Sequence, residues 1–309
     1  MVTAFGVVGD LSLDIVVAQS GPRREGSDVP AKIRIGAGGQ AANVAVRLAR
    51  QGADAALVAP MADDAAGRLL REALLAEHVS LRALPATRTA AVIALLDAVG
   101  ERTMLSDRQT LDPAGAAPLL EGLDWIHCSG YPLLDDRTGD ELAELLGGRK
   151  PKVRLSIAGG SVPPDPARVA RFRARLEQAR PDLVIMSGEE ADALLAGRPA
   201  RALAAAAALQ PLAAVVIVTV GADGSGAVAQ GLRLEAAAPQ LPGPMLDATG
   251  SGDAFAAALL VTLTGTKRAV WPPAAAALTA AMEAGNRLGA RVSRVLGAQG
   301  RVEGEAAPA

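Results

Sequence analysis

Short apolar runs and helical segments alternate through most of this chain, and that alternation limits its fold more than any other feature. Strands are expected at residues 4–8, 55–59, 125–129, 152–157, 183–187 and 214–220. Strands that read as near-continuous apolar runs are buried on both faces. Joined by helical crossovers, they make a mainly parallel sheet with helices on each side. Residues 38–43, Gly-Gly-Gln-Ala-Ala-Asn, open a helix that runs to about Arg50 and stops at Gln51-Gly52. Residues 65–77 carry Leu69, Leu70, Ala73 and Leu74 at helical spacing, and helices at about 254–264 and 274–288 close the chain. The alanine run 204–208 also reads as helix. A hairpin is expected over 226–234, turning at Gln230-Gly231. Two segments, about 12–35 and 87–111, look like β-structure without helices. The second contains the runs 90–97 and 102–105, with a turn at Ala98-Val99-Gly100-Glu101. Both are expected to leave the main sheet and pair as a small β-lid on a single domain spanning 1–309, which shows no linker or internal repeat.

The core must be built from small side chains. Half of the 309 residues are apolar but only 2% are aromatic, so Ala, Leu and Val fill the interior. The formal net charge is −2, with acids and bases mixed along the chain. That is no footprint for nucleic acid, and so few aromatics offer little for base stacking. One cysteine, Cys128, and two histidines, His78 and His127, rule out a disulfide within the chain and argue against a Cys/His zinc centre. Cys128 reads as a small buried hydrophobe and His127 as a core residue. The N-terminus lacks a basic region and meets an acid at Asp10, unlike a signal peptide. No apolar run reaches membrane-spanning length. A cytoplasmic protein without membrane or nucleic-acid partners is expected.

The chemistry concentrates in residues 247–255, Asp-Ala-Thr-Gly-Ser-Gly-Asp-Ala-Phe. Glycines and a serine just before a helix let backbone N–H groups converge at its positive end, an arrangement that holds anions. A carboxylate at the same place, Asp253, suits removal of a proton from an attacking hydroxyl. Asp253 as a plain helix cap is the bland alternative. Other polar residues fall near the carboxyl ends of expected strands, where open α/β sheets bind ligands. They are Asp14, the helix start with Gly38, Gly39 and Asn43, then Ser187 with Glu190, and Thr219 with Gly221 and Gly224. Together they outline one cleft.

These motifs resemble the ribokinase (PfkB) family of carbohydrate kinases over nearly the whole chain. Residues 38–45 match its N-terminal Gly-Gly-x-x-x-Asn-x-Ala signature, and 247–255 match its C-terminal Asp-Thr-x-Gly-[Ala/Ser]-Gly-Asp-x-Phe signature with Ala248 in the second place. The resemblance implies a ribokinase-like three-layer α/β fold and phosphoryl transfer from ATP to a hydroxyl of a sugar or sugar derivative, resembling ribose, fructose or ketodeoxygluconate. It makes Asp253 the base, and Gly250, Ser251 and Gly252 the anion hole. Asp14, Gly38, Gly39 and Asn43 would hold the sugar. Thr219, Gly221, Gly224 and Asn286 would lie along the nucleotide. The family's Asn-x-x-Glu motif, which organises Mg²⁺ through water, reads Ser187-Gly188-Glu189-Glu190 here, so Ser187 replaces Asn and Glu190 keeps its place. Asp247 and Thr249 would contribute to a K⁺ site closed by residues 294–298. The family's lids often pair two copies, which makes a homodimer an expectation. Arg108 reads either as a contact to the carboxylate or phosphate of an acidic sugar or as a surface partner of Asp107. Tyr131, the only tyrosine, falls near the substrate or away from it. A nucleoside kinase shares the whole apparatus and is the runner-up; a non-catalytic sugar-binding protein is a third reading.

Overall fold

The computed structural model describes every residue except 1–2, 20, 22–25, 27, 97–101, 164, 198–200, 266–269 and 306–309. The turn expected at 98–101 lies outside the described residues. Strand β1 (Ala4–Val8) is followed by β2 (Ser12–Gln19) and β3 (Ala31–Gly38), then by helix α1 (Gln40–Arg50). Next come β4 (Asp54–Met61), α2 (Ala65–Ala76), β5 (Ser80–Pro85), β6 (Ala90–Leu96) and β7 (Arg102–Asp107). From α3 (Pro113–Ala116) the order is β8 (Trp125–Cys128), α4 (Gly130–Leu134), α5 (Gly139–Gly147), β9 (Arg154–Ala158), α6 (Pro166–Ala179), β10 (Leu183–Ser187), α7 (Gly188–Leu194) and α8 (Ala202–Leu209). Then follow β11 (Val215–Thr219), β12 (Ser225–Ala229), β13 (Leu232–Ala236), α9 (Ser251–Thr264) and α10 (Ala275–Val292).

Nine strands form one sheet in the order β13-β12-β11-β10-β9-β8-β1-β4-β5. The seven strands from β11 to β5 run parallel. β12 and β13 add an antiparallel hairpin at one edge. Its turn places Gln230 at φ 43° and Gly231 at φ 83°, the left-handed pair that matches the twist of the flanking strands. Alternate residues of each strand feed the two faces. Phe5 and Val7 join a core with Ala41, Val44, Leu48, Phe255 and Leu259, while Val8, Ile126 and Cys128 join one with Leu142, Phe172 and Leu176. α9 and α10 pack over the first face, where the run Ala256-Ala257-Ala258 is buried against its neighbours. Small residues let helices approach closely, which a core this poor in aromatics requires. β5 is a departure from the sequence reading. It sits at the sheet edge, half-buried, and ends on a proline, so its pattern is weak.

β2, β3, β6 and β7 make a second sheet in the order β3-β2-β6-β7. Its register sets Ile35, Ile15, Ile93 and Leu105 in one row across all four strands, and Ile33, Val17, Leu95 and Thr103 in the next. Because side chains alternate along a strand, these residues share one face and Asp14 lies on the other. Ile33 and Ile35 are 61% exposed and Leu105 is 52% exposed.

Candidate active site

The carboxyl ends of β1, β8, β9, β10 and β11 point at the start of α9 and the second sheet, and the polar residues gather between them. α1 begins here because of Gly38 and Gly39. Gly39 takes φ 102° as the helix cap, and a Cβ there would strike the Asp10 backbone. A Cβ at Gly38 would fall on the Asp14 carboxylate. The pair of glycines therefore lets two strands and a helix meet around that acid. Asp14 belongs to β2 in the second sheet, rather than to a turn after β1. Its Oδ1 accepts from Ser12 Oγ at 2.7 Å, and burial pushes its carboxyl up to about 6, with the Asp10 charge adding to the rise.

Asp10, which sequence reasoning left without a role, organises this end of the cleft. It accepts from Gln40 N (3.1 Å) and Ala41 N (3.3 Å) at the start of α1, from Ser129 Oγ (3.0 Å) after β8, and from Arg108 Nη1 (2.6 Å). Its position at the end of β1 is the sequence signal that marks it. Arg108 pairs with Asp10, not with Asp107, which turns to Arg88 instead. The Arg108 guanidinium also lies 3.6 Å over the Tyr131 ring centre, and Tyr131 Oη shares a hydrogen bond of 2.9 Å with Ser161.

α9 begins at Ser251, earlier than its apolar run suggests, so Gly252 and Asp253 fall in its first turn. Gly250 caps it in the left-handed conformation (φ 79°), and a Cβ there would meet the Ala298 backbone. Ser251 N donates back to Ala248 O at 3.2 Å, closing the tight turn. The Gly250 and Gly252 N–H groups have no acceptor among the described residues, as the first amides of a helix generally do not. Asp253 Oδ2 accepts from Asn43 Nδ2 at 2.8 Å. Burial pushes the Asp253 carboxyl up to about 7, against the pull of the Asn43 hydrogen bond, and the Asp10 and Glu190 charges push the same way. A carboxyl poised near neutral pH suits proton removal.

The remaining predicted residues lie around this turn. Ser187 and Glu190 form a reciprocal cap on α7: Glu190 N donates to Ser187 Oγ (3.2 Å), and Ser187 N donates to Glu190 Oε2 (2.8 Å). Burial raises the Glu190 carboxyl. Asp247 Oδ1 accepts from Thr249 N (2.9 Å) and Thr249 Oγ1 (2.5 Å), and Asp247 Oδ2 accepts from Gly297 N (3.0 Å), so this acid ties the turn to residues 293–297. Thr219 ends β11, Gly221 opens the single helical turn that follows and Gly224 caps its end, both glycines at positive φ. Asn286 is buried on α10, where its amide donates to Ala236 O at 2.9 Å and anchors the helix to β13. His127 and Cys128 are core residues, as expected. His127 shares a 2.8 Å hydrogen bond with Ser156, and burial lowers its imidazole to about 4 and raises the Cys128 thiol.

A sequence model of pfkB family carbohydrate kinases matches residues 4–303. A fructokinase of Klebsiella pneumoniae is 31% identical over 249 residues, which covers 73% of this chain and 76% of that protein. Among solved structures, the ribokinase of Thermotoga maritima superposes with a TM-score of 0.78 at 20% identity, over 96% of this chain and 95% of that one. A fructokinase double mutant of Vibrio cholerae, bound to fructose, ADP and potassium ion, gives a TM-score of 0.77 at 22% identity, over 96% and 94%.

Proposed function

The chain belongs to the pfkB family of carbohydrate kinases, a sugar kinase that transfers a phosphoryl group to a hydroxyl, and we propose that its phosphate donor is ATP and its acceptor an uncharged sugar, fructose first among them. The observation that carries the proton transfer is the Asp253 carboxylate in the first turn of α9, held by Asn43. Its Oδ1 takes the proton of the acceptor hydroxyl. The freed oxygen attacks the γ-phosphorus, a new P–O bond forms, and the bond to the bridging oxygen breaks with its electrons leaving on ADP. The Gly250 and Gly252 N–H groups and the helix end face the charge that develops. Ser251 supports the turn, its own N–H being bound to Ala248.

Asp14 and Asn43 hold sugar hydroxyls, with Gly38 and Gly39 letting them approach. Thr219, Gly221 and Gly224 follow the nucleotide phosphates, and Asn286 holds the helix beside the base. An uncharged acceptor follows from the charges. Among the described residues Arg108 is the basic side chain whose charge bears on Asp14, and Asp10 already neutralises it at 2.6 Å. Asp14, Asp253 and Glu190 already resist ionisation beside one another, and Arg34, on Asp14's face of the second sheet, is turned to Leu296 O; a further anion is disfavoured there, which argues against a sugar acid or sugar phosphate. The curated relative named fructokinase supports the same class.

Mg²⁺ keeps most of its ligands from phosphates and water, so one nearby carboxylate suffices. Glu190 fits, because its carboxylate, held by the Ser187 and Gly160 N–H groups, has lone pairs left to accept from a metal-bound water, and Ser187 completes the cap without an amide. Bound with ATP, the ion would neutralise phosphate charge during transfer. The loop tied by Asp247 and Thr249 fits a K⁺ held by backbone oxygens beside the turn, and a potassium ion is present in the Vibrio cholerae fructokinase structure. A second copy of this chain is the partner we assign to the apolar outer face of the second sheet, where Ile33, Ile35 and Leu105 stand exposed.

The test is release of ADP from MgATP and K⁺ with fructose, ribose, 2-keto-3-deoxygluconate, fructose 6-phosphate or adenosine. Turnover is expected with an uncharged sugar and not with the two anionic acceptors. A preference for either anion overturns the charge argument, and a preference for adenosine overturns the sugar assignment.

A further inference from the structure

Residues 298–300 run past the first turn of α9, and α1 holds three successive carbonyls there. Arg47 Nη2 donates to Ala298 O (2.7 Å) and Gly300 O (2.8 Å), and Arg50 Nη1 donates to Gln299 O (2.9 Å). Arg47 is wholly buried and paired with Glu305 at 2.6 Å, so these donors have little freedom. With its backbone fixed this way, Gln299 turns its side chain to the same helix. Gln299 Nε2 donates to Asn43 Oδ1 at 3.1 Å, and Asn43 Nδ2 donates to Asp253 Oδ2 at 2.8 Å.

A primary amide has one donor end and one acceptor end. With its oxygen toward the Gln299 N–H, the Asn43 amide must turn its N–H groups to the carboxylate. Flipped, it would set an oxygen against the ionised acid. We infer that Gln299 is a positioning residue, fixing the Asn43 amide in the orientation that donates to Asp253. This rests on the reading of Asp253 as the base. The charged groups that bear on Asp253 are Arg47 from α1, Asp10 from the end of β1 and Glu190 from α7. Two of the three oppose its ionisation, which makes the Asn43 donor matter.

Two substitutions separate orientation from packing. Gln299→Leu removes the donor at similar size. Gln299→Glu replaces it with an acceptor, which draws the Asn43 N–H toward itself and turns the Asn43 oxygen to Asp253. At pH 7, kcat is expected to fall about tenfold in the first and about a hundredfold in the second, with KM for ATP unchanged. The acid limb of the kcat profile should move up by about one pH unit. A role in packing alone would treat the two alike and leave the acid limb in place. Nucleotide binding by calorimetry shows that each variant is folded, and Gln299→Met stands in for Gln299→Leu should the latter fail to bind. Equal effects in the two variants, or an unmoved acid limb, overturn the inference. Asp253→Asn is assayed beside them. Near wild-type turnover there removes the base itself, whereas a dead Asp253→Asn beside unimpaired Gln299 variants removes only the role of Gln299.

Discussion

As the proposed base, a single carboxyl, Asp253, has to be charged to work, in a place that resists its charge. With its carboxyl near 7, turnover should fall as pH drops below neutral, because the protonated acid cannot accept the sugar's proton. The same shift acts on stability in the opposite sense. Between about pH 4 and 7 the folded chain holds a proton that the unfolded chain has released, so this group's contribution to stability declines as pH rises through that window. Asp253→Asn should therefore abolish turnover, leave ATP binding in place and raise Tm at pH 8 relative to the parent. A Tm below the parent's at pH 8, by calorimetric melting, would contradict this reading of its surroundings. That Gly250, Asp253 and Asn43 would gather at one place was legible from sequence, because each lies in a short motif whose chemistry is local. Asp10 offered only its place at the end of β1, and Gln299 was not legible. Their partners lie up to 119 and 256 residues away, and no spacing rule connects them. Arg108 shows the same limit: sequence offered Asp107 as its neighbour, but β7 turns that acid toward Arg88.

At the scale of elements, α1 does two tasks with one face and its end. Asn43 meets Asp253, and one turn later Arg47 joins Arg50 in holding residues 298–305. Glu305 accepts from Arg47 and Arg50 and is 4% exposed on its side chain. Arg47→Leu leaves that carboxylate buried without its closest partner, a change that costs about 3–5 kcal/mol. Urea unfolding should register the loss as a lower midpoint with unchanged slope. Replacing Glu305 by Leu in the same chain should recover part of it, since an apolar pair no longer buries a lone charge. The strands were easier to read than this staple. β1 and β10 are continuous apolar runs bounded by Gly and Ser, as strands buried on both faces must be. β5 escaped notice because a half-buried edge strand mixes Ser80 and Arg82 with its leucines.

Across the whole molecule, the second sheet has an acid-bearing inner face at Asp14 and an apolar outer face. The proposed pairing of two copies predicts a dimer by sedimentation. Ile33→Glu combined with Ile35→Glu should give a monomer, because a charged row cannot be buried against its own copy. A wild-type monomer at micromolar concentration would dismiss the partner. Around the cleft the chain is crowded: Gly38 against Asp14, Gly39 against the Asp10 backbone and Gly250 against Ala298 leave no room for even one more carbon. Substitution there should disturb folding before it disturbs chemistry. A random library selected only for soluble expression, with no sugar and no call on activity, would still lose its members at these positions, and the pattern of losses would trace the outline of the cleft.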